Sequence, residues 1–142
     1  MTILRGPECP ELLREEVLAD IFEATAARLP DGCALETETV CLSYAALNQR
    51  ADRMAHHLLQ RGVGAGCILW LWLPRGADLL VAQLAIAKTG AAWLPCDADT
   101  PPERVDICLR DAGASGLVSA PALSDQLDAW ACPVWRVDAL QQ

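Results

Sequence analysis

The spacing of hydrophobic positions predicts helices that alternate with short strands along most of the chain. Apolar residues recur every three or four positions from about Glu11 to Leu29, at 47–58 and at 105–112, which is the periodicity of an amphipathic helix. The segment Cys67–Leu73 is apolar at every position, as expected of a strand that is covered on both faces. Ala77–Thr89 is apolar around nearly its whole circumference, which predicts a helix buried between layers.

Local signals predict where two of these helices begin. Ser43 can cap the second helix, because its hydroxyl can accept a hydrogen bond from a free amide of the first turn. Thr100, Pro101 and Glu103 combine a capping hydroxyl, a proline at the first helical position and the reciprocal glutamate of a capping box. We therefore expect the fourth helix to begin directly after Thr100.

The alternation of strands and helices predicts the fold class. The other expected elements are a lead-in over residues 1–10, a hairpin of Cys33–Glu36 and Val40–Leu42, strands at Ala91–Leu94, Gly116–Ser119 and Val134–Val137, and a short helix at about Ala122–Trp130. Connections this short favour right-handed crossovers onto a mostly parallel sheet. The sequence thus predicts an α/β fold, a three-layer arrangement with helices on both faces of the sheet, as a single domain over residues 1–142.

Composition and charge exclude several classes of partner. Hydrophobic residues make up 53% of the chain and charged residues 21%, which is ordinary for a globular domain. The formal net charge of -8 would repel a phosphate backbone, so nucleic acid is not an expected partner. No apolar run approaches the roughly 20 residues that cross a bilayer, and charged residues interrupt the amino end, so we expect no membrane span and no secretory signal. A cytoplasmic location follows as the expectation.

The cysteines and histidines predict neither a disulfide scaffold nor a metal site. The seven cysteines are scattered without a CxxC pair, at positions 9, 33, 41, 67, 96, 108 and 132. An odd number at such spacing is typical of reduced residues in the core. His56 and His57 are neighbours on the second helix and point about 100° apart, which is wrong for two ligands of one metal ion.

Phosphate-binding and nucleophilic motifs are missing from the sequence. Gly62, Gly64 and Gly66 lie between a helix and a strand, whereas a dinucleotide fingerprint follows a strand and opens a helix, so we expect a plain turn. Lys88, the only lysine, lies within a helix and outside any Walker-type loop. No serine is in a G-x-S-x-G elbow, so nucleophilic hydrolysis is not expected.

Asp97 and Asp99 leave two interpretations open. They follow a strand, at the end where α/β proteins collect their sites, and could act as paired carboxylates in acid–base chemistry or on magnesium. They also suit a solvated turn ahead of a helix N-terminus, which favours negative charge. The residues alone favour the solvated turn.

Two longer motifs resemble those of a known family. The segments LSYAALN at 42–48, ADRMAHHL at 51–58 and RGV at 61–63 resemble the first core motif of adenylate-forming enzymes, especially the amino-acid-activating adenylation domains of nonribosomal peptide synthetases. AKTGAAWLPCD at 87–97, continued by PER at 102–104, resembles their second core motif. The resemblance runs from about 18 to 119 and covers the opening part of a much longer domain. The chain departs from the family's pattern at Ala46, Trp93, Cys96 and Ala98.

The resemblance implies a reaction and also implies that its machinery lies elsewhere. In the family, a carboxylate attacks the α-phosphate of ATP to give an acyl or aminoacyl adenylate, which is then transferred to a phosphopantetheine thiol. The phosphate loop, the ribose contact, the magnesium ligand and the catalytic lysine follow the two motifs and would lie beyond Gln142. We therefore expect ATP and Mg for the complete domain and no cofactor for this chain. Lys88 and Asp97 are expected as structural positions, and the expected catalytic, cofactor-binding and metal-binding residues are none.

These implications define the expected function and its rivals. We expect a truncated, N-terminal portion of an adenylation domain (an AMP-dependent synthetase or ligase) that is inactive alone. Its expected partners are the remaining part of the domain or a carrier protein. The first rival is an interaction module or split half that docks onto a complementary chain. The second is an unrelated small doubly wound domain that binds a ligand.

Overall fold

A computed structural model describes residues 9–10, 15–126 and 129–140. Residues 1–8 of the predicted lead-in over 1–10, and residues 11–14 of the predicted first helix, lie outside these described residues. The elements run in chain order as α1 (Leu18–Arg28), β1 (Cys33–Glu36), β2 (Cys41–Ser43), α2 (Tyr44–Gln60), β3 (Ile68–Trp72), α3 (Ala77–Thr89), β4 (Ala92–Cys96), α4 (Pro102–Asp111), β5 (Gly116–Ser119), α5 (Pro121–Ser124), β6 (Val134–Arg136) and α6 (Val137–Leu140).

A parallel sheet of four strands forms the middle layer. Its order is β4-β3-β5-β6, and every neighbouring pair is parallel. Leu71 in the central strand β3 lies opposite Pro95 in β4 and Val118 in β5. β1 and β2 form a separate antiparallel hairpin, as predicted.

Side chains of β3 alternate between two hydrophobic clusters, one on each face of the sheet. Leu69 and Leu71 are fully buried in the larger cluster, which contains the apolar side of α2 and α3. Trp70 and Trp72 belong to the smaller cluster on the other face, together with Val105 and Leu109 of α4. Because successive strand residues point to opposite faces, a strand that is apolar throughout requires cover on both sides. The predicted three-layer α/β fold is confirmed.

The buried stripe of α2 is also confirmed. Leu47, Ala51, Met54 and Leu58 are between 0 and 4% exposed. Ser43 caps the helix as expected, with its Oγ accepting a hydrogen bond from the backbone N–H of Ala46 at 3.2 Å. This cap satisfies one amide of the first turn.

The prediction that α3 is buried around its whole circumference is wrong in part. Val81, Ala82, Ala85 and Ile86 are completely buried against α2 and the sheet, whereas Leu80 is 40% exposed. Helix α1 also packs against α3, so the exposed positions of α3 are limited to Asp78 and Leu80. Composition reports how apolar a helix is, but the neighbours decide which side is covered.

Among the described residues of the first predicted helix, α1 begins at Leu18, after Glu15, Glu16 and Val17. Its first turn is closed by Asp20, whose carboxylate accepts a hydrogen bond from the backbone N–H of Val17 at 3.1 Å. The apolar periodicity that predicted the helix begins at Leu18. Glu15 and Glu16 precede the helix, and their side chains are exposed, so they contribute nothing to its buried face. The helix therefore starts where the packing surface starts.

The strand and helix around Pro95 also differ from the prediction. Pro95 was expected to close its strand but lies inside β4. Since β4 is an edge strand, it can accommodate a residue that lacks an N–H. The predicted capping box at Thr100 is wrong: α4 starts at Pro102, and its N-cap residue Pro101 makes no side-chain hydrogen bond. Thr100 instead contacts Cys96, whose thiol donates to the Thr100 hydroxyl at 3.2 Å.

The elements after β5 are shorter than predicted. The expected helix at Ala122–Trp130 is only one turn in the described residues, α5, and residues 127–128 of that prediction lie outside the described part. The expected strand is present as β6 but gives way at Val137 to α6, which was not predicted. Val137 and Leu140 of α6 are buried in the larger cluster. Tertiary packing therefore stabilises α6, because a helix of four residues is too short to show a hydrophobic periodicity in the sequence.

Gly116 offers a test of the contact between β5 and β6. A Cβ atom at Gly116 would lie 2.4 Å from the indole ring of Trp135, which is rigid. We expect Gly116→Ala to lower the free energy of unfolding by about 1–3 kcal/mol, because a well-packed interior must shift to accept the methyl group. Urea-induced unfolding followed by circular dichroism measures this change.

Gly64→Ala is the matched control. The nearest atom to a Cβ at Gly64 is the Thr89 carbonyl oxygen at 4.0 Å, and its backbone is not in the left-handed region. We expect a change within about 0.5 kcal/mol. Equal effects of the two substitutions would contradict the close packing of Gly116 against Trp135.

Candidate functional site

The carboxyl ends of the parallel strands form the walls of a groove. A groove of about 810 Å³ lies where β3 and β4 end, and its lining includes Arg75, Cys96, Asp97, Asp99 and Thr100. A second groove of about 500 Å³ adjoins it and shares Arg75. This edge is where ligands bind in open α/β sheets, so the grooves together form the candidate site.

Helix α3 and the hairpin form the walls of the second groove. The lining residues are Thr37, Glu38, Thr39, Val40, Arg50, Leu73, Pro74, Arg75, Gly76, Ala77, Asp78 and Ala120. The turn between β1 and β2 therefore faces the first turn of α3 across this space. Thr37 holds the turn, since its Oγ1 accepts a hydrogen bond from the backbone N–H of Val40 at 2.9 Å.

The loop after β4 is held by its backbone and by a tryptophan. The carbonyl oxygen of Asp97 accepts two hydrogen bonds, one from Nε1 of Trp72 at 3.1 Å and one from the backbone N–H of Thr100 at 3.0 Å. Trp72 is fully buried and packs edge-on against Trp130 at a ring separation of 5.5 Å. The buried indole thus fixes the loop from beneath.

The side chains of Asp97 and Asp99 are exposed. Among the described residues, neither carboxylate has a hydrogen bond or ion pair with another side chain. Acid–base chemistry or a magnesium ion would require further groups that converge on these carboxylates. The geometry supports the interpretation of both residues as solvated turn positions.

The structure gives no support for a metal centre in the part of the chain it describes. No group of three or more His, Cys, Asp or Glu side chains converges there. The rings of His56 and His57 are 6.2 Å apart at 66°, and His56 contacts Gln60 on the exposed side of α2. No helix in the described residues is long and apolar enough to span a membrane.

Lys88 lies near the amino ends of the strands, whereas the groove lies at their carboxyl ends. Helix α3 leads from the carboxyl end of β3 to the amino end of β4, so its first turn borders the groove and its last turn is remote from it. The side chain of Lys88 is only 6% exposed and pairs with two carboxylates. Its Nζ donates to Oδ1 of Asp52 at 2.8 Å and to Oε1 of Glu23. This lysine therefore ties α3 to both α2 and α1.

The two carboxylates keep Lys88 charged. Burial alone would lower the pKa of the ammonium, but hydrogen bonds and charge attraction from Asp52 and Glu23 outweigh it and raise the pKa above the ordinary lysine value. An ammonium held in this way connects three helices and has no contact with the groove. These contacts are structural, because they join α3 to α1 and α2.

The prediction that the cysteines are reduced core residues holds in part, because Cys67, Cys96, Cys108 and Cys132 pack against the two hydrophobic clusters whereas Cys33 and Cys41 do not. All seven are free; Cys33 and Cys41 are exposed and the other five are half-buried. The Sγ atoms of Cys33 and Cys41 are 3.5 Å apart across the hairpin. Sequence reasoning missed this pair, although the predicted hairpin already placed one cysteine on each strand.

The fold and the position of the two motifs define an N-terminal subdomain of the adenylate-forming type. The sequence model of the family described as "AMP-binding enzyme" matches residues 22–139. The chain belongs to this family, as the resemblance at the two core motifs predicted. Membership excludes the rival interpretation of an unrelated doubly wound domain.

Curated relatives are synthetases of much greater length. Delta-poly-L-ornithine synthetase of Acinetobacter baumannii (strain AB307-0294) is 48% identical over 140 residues, which is 99% of this chain and 10% of that protein. The dimodular nonribosomal peptide synthase of Bacillus subtilis (strain 168) is 42% identical over 102 residues, covering 72% of this chain and 4% of its own length. The chain thus spans a tenth or less of these two relatives.

Solved structures share the fold. The nonribosomal peptide synthetase FmoA3 in its alpha-methyl-L-serine-AMP bound form has a TM-score of 0.83 at 32% identity, covering 89% of this chain and 14% of that one. The N-terminal subdomain of Klebsiella oxytoca NpsA, in complex with 3-hydroxybenzoyl-AMSN, has a TM-score of 0.77 at 27% identity, covering 88% and 31%. The chain corresponds to part of the N-terminal subdomain of an adenylation domain, as predicted.

The lysine pair offers a test of the structural role of Lys88. We expect Lys88→Met to lower the free energy of unfolding by about 2 kcal/mol at neutral pH, because two carboxylates lose their shared cation. Arg53→Met, which removes an exposed cation beside Asp52, should change it by less than about 0.5 kcal/mol. Urea unfolding of both variants measures the difference.

The same comparison has a defined pH dependence. Folding raises the pKa of Lys88, so its contribution is fully present below the unfolded lysine pKa of about 10.4 and is lost as pH rises through the higher folded value. The stability difference between the parent chain and Lys88→Met should therefore persist from neutral pH into the mildly alkaline range and shrink as the pH rises through the folded pKa of Lys88. A difference that disappears near neutral pH would contradict the ion pairing of Lys88.

Proposed function

We propose that residues 1–142 act as the scaffold at the start of an adenylation domain that activates an amino acid or another carboxylic acid with ATP. One observation carries the proposal: the lysine of the second core motif points away from the groove and into a network that joins three helices. The first groove is lined by Arg75, by two exposed carboxylates and two small polar side chains, and by apolar residues and prolines. In this proposal, residues 1–142 are one continuous N-terminal portion of a longer adenylation domain.

The ATP and magnesium sites belong, in this proposal, to other segments of the complete domain. An AMPPNP-bound form is among the similar structures of FmoA3, which supports ATP as the cosubstrate of the family. The residues of this chain do not fit the nucleotide by themselves, because the groove has neither a lysine nor a glycine-rich loop and the described residues hold no metal-ligand cluster. We therefore assign no catalytic, cofactor-binding or metal-binding residue to this chain.

The proposed partners follow from the size of the relatives. They are the remaining part of an adenylation domain and a phosphopantetheine carrier protein, which fits the similarity to an artificially fused adenylation–PCP protein of Klebsiella oxytoca with a TM-score of 0.82. We propose neither nucleic acid nor membrane as a partner, since the formal net charge is -8 and the sequence has no long apolar run. A cytoplasmic location is proposed as well, where seven free thiols would remain reduced.

A second candidate is an interaction module or split half. It is favoured by exposed apolar side chains at the start of α1 and on the edge strand β4, where Val17, Leu18 and Leu94 are 61, 51 and 39% exposed. Size measurement and dye binding distinguish the candidates, because a module without its partner should bind a hydrophobic dye or self-associate. A monomer that binds no dye would contradict this second candidate.

The scaffold proposal predicts that the chain alone does not form an adenylate. We expect ATP–pyrophosphate exchange at the buffer background with each common amino acid, because Arg75 is the one cationic residue among the described residues that line the first groove and a single guanidinium does not complete the clamp that polarises a triphosphate. A complete adenylation domain from the Bacillus subtilis synthase is the positive control for the assay. Circular dichroism must show a folded chain in the same buffer.

Exchange above background that depends on one amino acid would overturn the proposal. Such a result would mean that the exposed side chains of the groove are sufficient for phosphate chemistry. Asp97→Asn and Asp99→Asn variants would then identify the groups responsible.

A further inference from the structure

Two thiols lie in contact on the exposed side of the hairpin. Cys33 is in β1 and Cys41 in β2, and their sulfur atoms are 3.5 Å apart. The pairing register places Cys33 opposite Ser43, which is two residues from Cys41 and points to the same face of β2. An irregularity in the register between Cys33 and Leu35 accompanies this diagonal approach.

The pair differs from the other cysteines in access as well as in contact. Cys33 and Cys41 are exposed, whereas the remaining five cysteines are half-buried. Burial raises the pKa of the Cys132 thiol, for example. A soluble oxidant can therefore reach the two hairpin thiols, and each has a second sulfur within reach.

We propose that Cys33 and Cys41 form a thiol–disulfide site that closes into an intramolecular disulfide when it meets a disulfide oxidant such as oxidised glutathione. In the first step one protein thiolate attacks the oxidant, which releases one molecule of glutathione and leaves a mixed disulfide. In the second step the other protein thiol displaces the second glutathione. Both protein sulfurs are oxidised, the oxidant's S–S bond is reduced, and the two thiol protons leave with the two glutathiones.

The geometry favours the closing step over a lasting glutathione adduct. An S–S bond is about 2.05 Å long, so the two sulfurs must approach by only about 1.5 Å from their contact distance. Exposed cysteine side chains can rotate to make that approach without disturbing the core. A reactant held in contact has a high effective concentration, which makes the second displacement faster than its intermolecular competitor.

The reduced pair needs an external oxidant to close, and the protonation state of Cys41 bears on how readily it reacts. Contact with the Cys33 sulfur, and to a smaller extent the neighbouring Glu36, raises the pKa of the Cys41 thiol above its ordinary value. At neutral pH Cys41 therefore rests as the protonated thiol. Oxidation is then a response to the supply of oxidant.

The site has a structural consequence that does not depend on adenylation. The bond would link the two strands that support the turn at Thr37–Val40, and that turn lines the second groove. Closure would therefore restrict one wall of the groove beside Arg75. Because β2 continues directly into α2, it would also restrain the entry to that helix.

The test uses the reduced 142-residue chain incubated with oxidised glutathione, followed by acid quenching, alkylation and digestion. Trypsin leaves both cysteines in one peptide, residues 29–50, because no lysine or arginine separates them. We expect this peptide to lose the mass of two hydrogen atoms and to carry no alkyl group. Cleavage after Glu36 and Glu38 should leave the two halves joined until a reductant is added.

Single variants give the complementary result. Cys33→Ser and Cys41→Ser remove the resolving thiol, so each should trap a glutathione adduct on the remaining cysteine of the same peptide. Cys67→Ser is the matched control and should behave as the parent chain does. The equilibrium constant for closing should be at least about tenfold larger in the folded chain than in urea, since folding holds the sulfurs in contact.

Several outcomes would overturn the proposal. One is a parent chain whose peptide 29–50 carries glutathione or two alkyl groups after oxidation. Another is a disulfide that joins Cys33 or Cys41 to a different cysteine. A closing constant that is equal in the folded chain and in urea would show that the eight-residue separation, and not the hairpin, accounts for the bond.

Discussion

The burial of β3 on both faces is the constraint on which the rest of the structure depends. Leu69 and Leu71 point to one cluster and Trp70 and Trp72 to the other, and none of the four is more than 7% exposed. A strand of this kind cannot be stable at the surface or in a two-layer fold, because either arrangement leaves one set of side chains in water. Helices α2 and α3 cover one face and α4 covers the other. The parallel connections between the strands follow from that requirement.

The same arrangement separates the two ends of the second core motif. Lys88 lies in the last turn of α3 and Asp97 follows β4, so the two residues lie at opposite ends of strand β4. One end of the motif is used to join α1, α2 and α3 through a buried ammonium. The other end shapes the loop that borders the groove, held by the indole of Trp72. A motif that identifies a family of enzymes can therefore consist largely of residues that build the framework.

Agreement between sequence and structure was closest where the side-chain pattern is long or chemically extreme. The bounds of α3 and β5, the stripe of α2 and the Ser43 cap were all predictable, because each depends on contacts within an element or on a strong apolar pattern. The capping box at Thr100 was not predictable in this way, since the Thr100 hydroxyl contacts Cys96 and the helix begins one residue later than predicted. Pro95 is tolerated within β4 because β4 is an edge strand. The position of a strand within the sheet cannot be predicted from the residues around Pro95.

The sequence by itself determined the α/β class, the burial of the central strand, the family and the absence of a phosphate loop from these 142 residues. Those properties depend on composition, period and motif, which can be read along the chain. Only the tertiary structure decided which side of α3 is covered, where Lys88 finds its two carboxylates and how close Cys33 comes to Cys41. These are distances between residues far apart in the chain or on different strands, and they depend on packing and register, which no local pattern encodes.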